Sequence, residues 1–404
     1  MYYGWWVVTA AFAVMFLGFG CAYSFTTFFP ELQREFGASH GTVSLIFSIA
    51  GFLYFGLGAV SGVIADRMGP RWVSAAGMVV LGVGLAVASF AEDLFMVYVG
   101  LALGIGVGVG LSYVPSIGAV QPWFTARRGL ASGIAVSGIG VGTLVGPIIA
   151  NAGIAAVGWR VTLLWLGIVA ALGGVVGSWF LRNDPSRSGE PVGSSAAAGP
   201  AAGLTLGEAL RTRPFWLLYL GALFVSVGIF IPFVHVVPYA LAQGFDAADG
   251  AYVLGAVGIG SSVGRFAVGG VADRVGRENA LLGAYVGITA MLFLWLGSGA
   301  LWVLYVFALV FGACYGSFVA LAPAVCADFF GTRAASSIIG VLYTSVAIGT
   351  LVGPSSAGYV FDRAGSYEGA ILFGEAMAAL AVMMTVLLPR AAAWRRATHS
   401  PGAA

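Results

Sequence analysis

Charge is what this sequence has little of. Of its 404 residues only 8 % are Asp, Glu, Lys or Arg, against roughly 25 % in a soluble domain. A soluble chain with that balance has too few polar groups to cover its surface, which excludes a soluble enzyme, a nucleic-acid binder and a disordered chain. Lysine is absent, so all 18 basic residues are arginines. The three cysteines, Cys21, Cys314 and Cys326, fall inside apolar runs and read as packed small residues, not as disulfides or metal ligands. No metal cluster, phosphate loop or catalytic triad is recognisable. No metal, no cofactor and no enzymatic activity are therefore expected. Gly-x-Gly matches such as Gly104 to Gly110 lack a strand–loop–helix setting and read as helix-packing grooves. No basic segment precedes the first apolar run near Trp5, so that run reads as a span and not as a cleaved leader.

What is present is apolar sequence, 60 % of the chain. At roughly 20 residues per membrane-crossing helix, this suffices for about twelve helices with short connections. A transmembrane barrel is excluded, because its strands would alternate polar and apolar residues. Apolar runs between polar breaks predict helices at 5–29, 42–65, 72–91, 94–118, 129–152 and 159–181, then 214–240, 248–272, 279–297, 301–326, 334–360 and 368–389. The chain divides into a six-helix bundle (1–182), a flexible cytoplasmic linker rich in Ser, Ala, Gly and Pro (183–213), a second six-helix bundle (214–390) and a tail (391–404). With both termini cytoplasmic, 14 arginines lie on the cytoplasmic side, three (Arg34, Arg160, Arg363) lie opposite, and Arg265 lies inside a span. That bias is a positive-inside signal and predicts a multi-pass protein of the inner (cytoplasmic) membrane.

The two halves repeat each other. Gly62-Val-Ile-Ala-Asp66-Arg67-Met-Gly69 returns as Gly269-Gly-Val-Ala-Asp273-Arg274-Val-Gly276, and Gly142-Thr-Leu-Val-Gly-Pro147 returns as Gly349-Thr-Leu-Val-Gly-Pro354, both displaced by 207 positions. A six-span unit duplicated in parallel accounts for this. The Gly-x-x-x-Asp-Arg-x-Gly element after the second and eighth spans resembles the cytoplasmic loop motif of the major facilitator superfamily, and the resemblance covers essentially the whole chain. Within that superfamily, Tyr3-Gly4-Trp5-Trp6-Val7-Val8 is similar to the first-span signature of the monocarboxylate transporter family and its bacterial relatives, which include oxalate:formate exchangers. Trp123-Phe124-Thr-Ala-Arg127-Arg128-Gly-Leu130-Ala131 is similar to its fifth-span signature. The resemblance implies an all-α membrane protein with twelve transmembrane helices in two six-helix bundles. There are departures: Ala126 replaces a basic residue, Tyr23 aligns with a Lys of animal members, and Ser261 aligns with an Asp of those members. The lysine that helps hold dicarboxylates in the oxalate exchanger has no counterpart here.

Arg265 is the main candidate for chemistry. It stands about eight residues, or roughly 12 Å, before Asp273 in the eighth span. A guanidinium at that depth costs at least about 2.5–3.5 kcal/mol, and its planar fork can hold a carboxylate through two parallel hydrogen bonds. Packing against backbone carbonyls or snorkelling is the structural alternative. The resemblance adds that the family carries its carboxylate-binding arginine in this span. Further substrate-binding candidates are Tyr113, a phenol that can donate to a carboxylate; His235, the one histidine in an apolar run; Ser261, one turn before Arg265; and Tyr23 and Tyr343. Each can also be read as packing. Candidates for proton coupling are Glu375, inside the last span, Asp246 and His235. The resemblance implies a gating latch between the halves on the cytoplasmic side, from Asp66, Arg67, Arg71, Arg127, Asp273, Arg274, Arg277 and Arg333.

One buried cation matches one carboxylate per substrate. That match and the resemblance, with the cost of moving an anion against a negative interior, make the expected activity proton-coupled secondary transport of small monocarboxylates such as lactate or pyruvate by alternating access, in a functional monomer that binds substrate, proton and lipid. An oxalate/formate-type anion exchanger and an exporter of apolar compounds are the alternatives. A sensor is disfavoured by the short tail.

Overall fold

The computed structural model describes residues 2–120, 123–124, 128–182, 203–331, 334–391 and 393–394. They form helices α1 (Tyr3–Phe36), α2 (His40–Gly56), α3 (Gly58–Met68), α4 (Pro70–Ser89), α5 (Leu94–Val97), α6 (Gly104–Val120), α7 (Arg128–Val157), α8 (Trp159–Trp179), α9 (Leu206–Ala209), α10 (Arg213–Ala242), α11 (Ala247–Val275), α12 (Arg277–Leu296), α13 (Leu301–Phe330), α14 (Ala335–Ala364) and α15 (Glu368–Val386). A π-helical turn, Tyr98–Leu103, joins α5 to α6 in one crossing. Among the described residues, eleven helical stretches are long and apolar enough to span a membrane. The twelfth crossing is α2 with α3, which a break at Leu57 divides.

Helix ends follow local chemistry. Ser39 caps α2 by accepting from the Thr42 N–H, Asp93 caps α5 by accepting from Met96, and Thr212 caps α10 by accepting from Phe215. The duplicated Gly-x-x-x-Asp-Arg-x-Gly element gives the same turn twice. Gly69 and Gly276 both have φ +89°, a value that favours glycine, and each ends one span and starts the next. The repeated Gly-Thr-Leu-Val-Gly-Pro segments fall inside α7 and α14, the fifth span of each half.

Several spans differ from the expectation. The first runs on to Phe36 through Pro30, because a proline inside a helix removes one hydrogen bond and flanking packing holds the rest. The linker is ordered at its end: the Leu204 N–H donates to the Phe330 carbonyl at 2.8 Å, and Thr205 and Glu208 form a capping box. Residues 183–202 lie outside the described set. The start of the tail is held too, with the Ala391 N–H on Glu278 at 2.7 Å and Trp394 against Phe329 and Phe330.

Inside each half, equivalent helices pack: α1 on α7 as α10 on α14, and α4 on α8 as α12 on α15. The halves meet along two equivalent seams, α2 with α14 and α7 with α11, and along α1 with α10. Buried apolar residues run continuously through both halves and across these seams.

Candidate functional site

Arg265 is positioned by the glycines of its own helix. A Cβ on Gly260 would come within 2.1 Å of the Leu309 carbonyl, and one on Gly264 within 2.0 Å of the Ala313 carbonyl. Backbone therefore lies on backbone between α11 and α13, as small residues permit in membranes. Ten residues of α11 follow Arg265, about 15 Å of helix, so the side chain starts well inside the span.

The Arg265 side chain is 8 % exposed, and its Nε, Nη1 and Nη2 have no hydrogen-bond partner among the described residues. Its nearest compensation is the Tyr315 ring, whose centre is 5.7 Å from the guanidinium carbon, a cation–π contact at the edge of its range. The group faces a cavity lined by Phe19, Phe55, Tyr113 and Ile139 from the first half and by Phe230, Tyr315, Phe318, Val319, Tyr343 and Val346 from the second. Among the described residues, spans 3, 6, 9 and 12 contribute nothing to this wall. Among the described residues Arg265 is its one charged member, and Tyr113, Tyr315 and Tyr343 carry its hydroxyls. Such a chamber presents five fixed N–H donors and three phenols among apolar surface. It suits an anion with a small charged head and an apolar remainder.

Three of the expected residues, Arg265, Tyr113 and Tyr343, thus meet in one cavity. Tyr23 stands just behind it: its hydroxyl is 3.3 Å from that of Tyr315, and its ring stacks on Phe233 of the other half at 4.6 Å. Ser261 is buried, but its Oγ has no partner among the described residues and does not bond the guanidinium. His235 does not line the cavity. It is 0 % exposed, with Nε2 2.9 Å from the Pro354 carbonyl and 3.2 Å from Ser44 Oγ, and Nδ1 3.4 Å from the Tyr367 hydroxyl. Glu375 is half-buried on α15, outside the cavity wall. Asp246 is exposed and caps α11 together with Asp249.

Of the residues expected to form a latch, Arg127, Arg333 and the side chains of Asp66 and Asp273 lie outside the described residues. Arg67 and Arg274 are exposed. Arg71 sits over the Trp179 ring at 4.7 Å, and Arg277 pairs with Asp328 at 2.8 Å; both partners belong to the same half as the arginine.

The two signature segments prove to be neighbours. The Tyr3 and Trp123 rings lie 5.2 Å apart and those of Trp5 and Phe124 5.0 Å apart. Trp123 Nε1 donates to the Arg182 carbonyl at 2.7 Å, and Arg182 covers the Tyr3 ring at 4.8 Å. They tie the adjacent ends of spans 1, 5 and 6 together and lie apart from the cavity. Sequence reasoning missed Tyr315 and the phenylalanines of the wall. The available signal was Tyr315 standing between Gly312 and Gly316, whose added Cβ atoms would come within 2.2 Å of the Val257 carbonyl and 2.1 Å of the Ser261 carbonyl. That pair marks the face of α13 pressed onto the helix of Arg265.

The comparisons with known proteins agree with this architecture. Monocarboxylate transporter 11 of Homo sapiens is 29 % identical over 407 residues, covering 96 % of this chain and 83 % of the relative. Monocarboxylate transporter 12 of Rattus norvegicus is 29 % identical, with 92 % and 82 % covered. MFS transporter asaE of Aspergillus flavus is 27 % identical, with 92 % and 84 % covered. A crystal structure of a bacterial homolog of the human lysosomal transporter Spinster, inward-facing and unoccupied, superposes with a TM-score of 0.68 at 16 % identity over 97 % of this chain and 96 % of that one; at that identity the likeness shows the fold. The family model described as Major Facilitator Superfamily matches residues 10–301. This chain is a membrane transporter and belongs to the major facilitator superfamily.

Proposed function

We propose that the protein is a proton-coupled secondary transporter of small monocarboxylates, of the lactate and pyruvate type, working by alternating access. The observation that carries this reading is the Arg265 guanidinium, buried and without a hydrogen-bond partner among the described residues, at a cavity between the two halves. A permanent cation in that position is stabilised by an anion arriving from solution. The carboxylate docks on the guanidinium fork, Tyr113, Tyr315 and Tyr343 supply further donors, and the phenylalanines take the apolar remainder. A second carboxylate would find no cation in the wall, and burying it unpaired is costly. The names of the relatives point to the same substrate class.

Proton coupling rests on charge balance. A monoanion entering against a negative interior loses about 2.3 kcal/mol per 100 mV, and one accompanying proton cancels that term. Glu375, Asp246 and His235 remain the candidates for carrying it. Rocking of the halves about the cavity is the motion such a two-bundle arrangement supports.

Purified protein in liposomes, offered a panel of labelled carboxylates with and without an imposed pH gradient, tests the proposal. Uptake of lactate and pyruvate, exclusion of oxalate, and alkalinisation of the medium during net uptake are expected. Exchange without alkalinisation would assign an anion exchanger instead, and transport of uncharged apolar compounds by an Arg265→Ala variant an exporter.

A further inference from the structure

The halves also meet at the external ends of α2 and α14, a contact that the substrate cavity does not involve. Asp362, two residues before the end of α14, reaches across to the other half. Its Oδ1 accepts the main-chain N–H of His40 and its Oδ2 that of Gly41, each at 2.8 Å. These are the first two residues of α2, whose N–H groups have no partner within their own helix. The N-terminus of a helix favours a negative charge and the C-terminus disfavours one. Asp362 is therefore poorly placed for its own helix and well placed for its neighbour. The His40 imidazole lies beside this contact, with Nδ1 3.4 Å from Oδ1 and 2.9 Å from Gln33 Nε2.

Three further contacts continue the closure inward. Gly41 and Gly358 let the two backbones touch: a Cβ on Gly41 would come within 2.3 Å of the Tyr359 ring, and one on Gly358 within 2.5 Å of Ser44 Oγ. One turn below, Ser44 of the first half meets His235 of the second. Deeper still, the Thr26 hydroxyl donates to the Val234 carbonyl at 2.8 Å. That carbonyl lacks its usual helical donor because Pro238, four residues on, has no N–H. The hydroxyl of one half thus satisfies an acceptor that a proline of the other half exposes.

We propose that Asp362 is the external gating residue of the transport cycle: its carboxylate clamps the N-terminus of α2 and must be released before the external mouth opens. This rests on the alternating-access reading and not on the identity of the substrate. Charge-assisted hydrogen bonds are the strong ones, so removing the charge from this acceptor should raise the ratio of externally open to externally closed protein at least about tenfold.

The test is a distance measurement across the external mouth. Spin labels are placed on Glu92→Cys and Gly299→Cys, exposed loop positions in opposite halves, in full-length protein with Cys21, Cys314 and Cys326 replaced by Ala, reconstituted in nanodiscs. Double electron–electron resonance should show the short separation dominant in the parent protein. Asp362→Asn shifts population to a longer separation. Gly41→Ala does so independently, by wedging α2 off α14. His40→Ala, which keeps both main-chain donors, shifts it less than Asp362→Asn. A distribution indifferent to both Asp362→Asn and Gly41→Ala overturns the clamp, and so does an equal or larger effect of His40→Ala. A clamp-dependent long separation that ignores lactate and pyruvate keeps the gate and overturns the substrate assignment.

Discussion

Replacing Arg265 with Met should make the empty protein more stable while ending its function. The guanidinium is buried and has no hydrogen-bond partner among the described residues. Its presence in the span costs at least about 2.5–3.5 kcal/mol. The Tyr315 ring at 5.7 Å offsets about 0.5–2 kcal/mol of that. Methionine is similarly long, unbranched and able to fill an irregular space, so no large cavity opens. The difference is a net stabilisation of about 0.5–3 kcal/mol. With an unfolding entropy of ~2.1 cal/mol/K per residue over 404 residues, the unfolding midpoint rises by about 0.6–3.5 °C. The assay is the monodisperse fraction left after heating detergent-solubilised protein without substrate, followed by size-exclusion chromatography. A midpoint lowered by several degrees would refute the reasoning, because it would make Arg265 a structural anchor whose charge the fold already satisfies.

Two further substitutions separate the parts of the site. Gly264→Ala puts a methyl group about 2.0 Å from the Ala313 carbonyl, and overpacking of this kind costs about 1–3 kcal/mol; a lower unfolding midpoint together with loss of uptake is expected, and a parent-like midpoint would contradict the backbone contact between α11 and α13. Tyr113→Phe keeps the ring and removes one donor worth about 0.5–1.5 kcal/mol, so the uptake KM rises about two- to tenfold with the fold intact; an unchanged KM would remove Tyr113 from the binding set.

The scaffold was legible because the bilayer imposes it. Length and apolarity set the crossings, arginine placement set their expected orientation, and the repeated loop element marked the duplication that Gly69 and Gly276 reproduce as one turn. Arg265 was legible for the same reason: a charge in hydrocarbon is expensive and stands out. The rest of the cavity was not. Phe19, Phe55, Phe230, Phe318 and Tyr315 sit in apolar runs where an inward-facing aromatic looks like a lipid-facing one, and only tertiary packing sorts them. His235 drew attention as a polar group in an apolar run, yet its partners Ser44, Pro354 and Tyr367 come from α2, from α14 and from the turn before α15. Asp362 resembled any acidic residue at a helix end, and the groups it binds are main-chain amides, which leave no mark in a sequence. The first span was expected over 5–29, but α1 runs on through Pro30 to Phe36.

The central claim is that Arg265 receives the carboxylate of the transported substrate. Its most direct test is uptake of labelled pyruvate into liposomes by the parent protein and by Arg265→Lys, with an imposed pH gradient and matched amounts of folded protein. An electroneutral proton symport accumulates the anion up to tenfold per pH unit, since a tenfold ratio equals about 1.4 kcal/mol. Lysine keeps the charge but loses the planar fork, so the account predicts gradient-driven accumulation by the parent protein and none by Arg265→Lys. Parent-like accumulation by Arg265→Lys would contradict it.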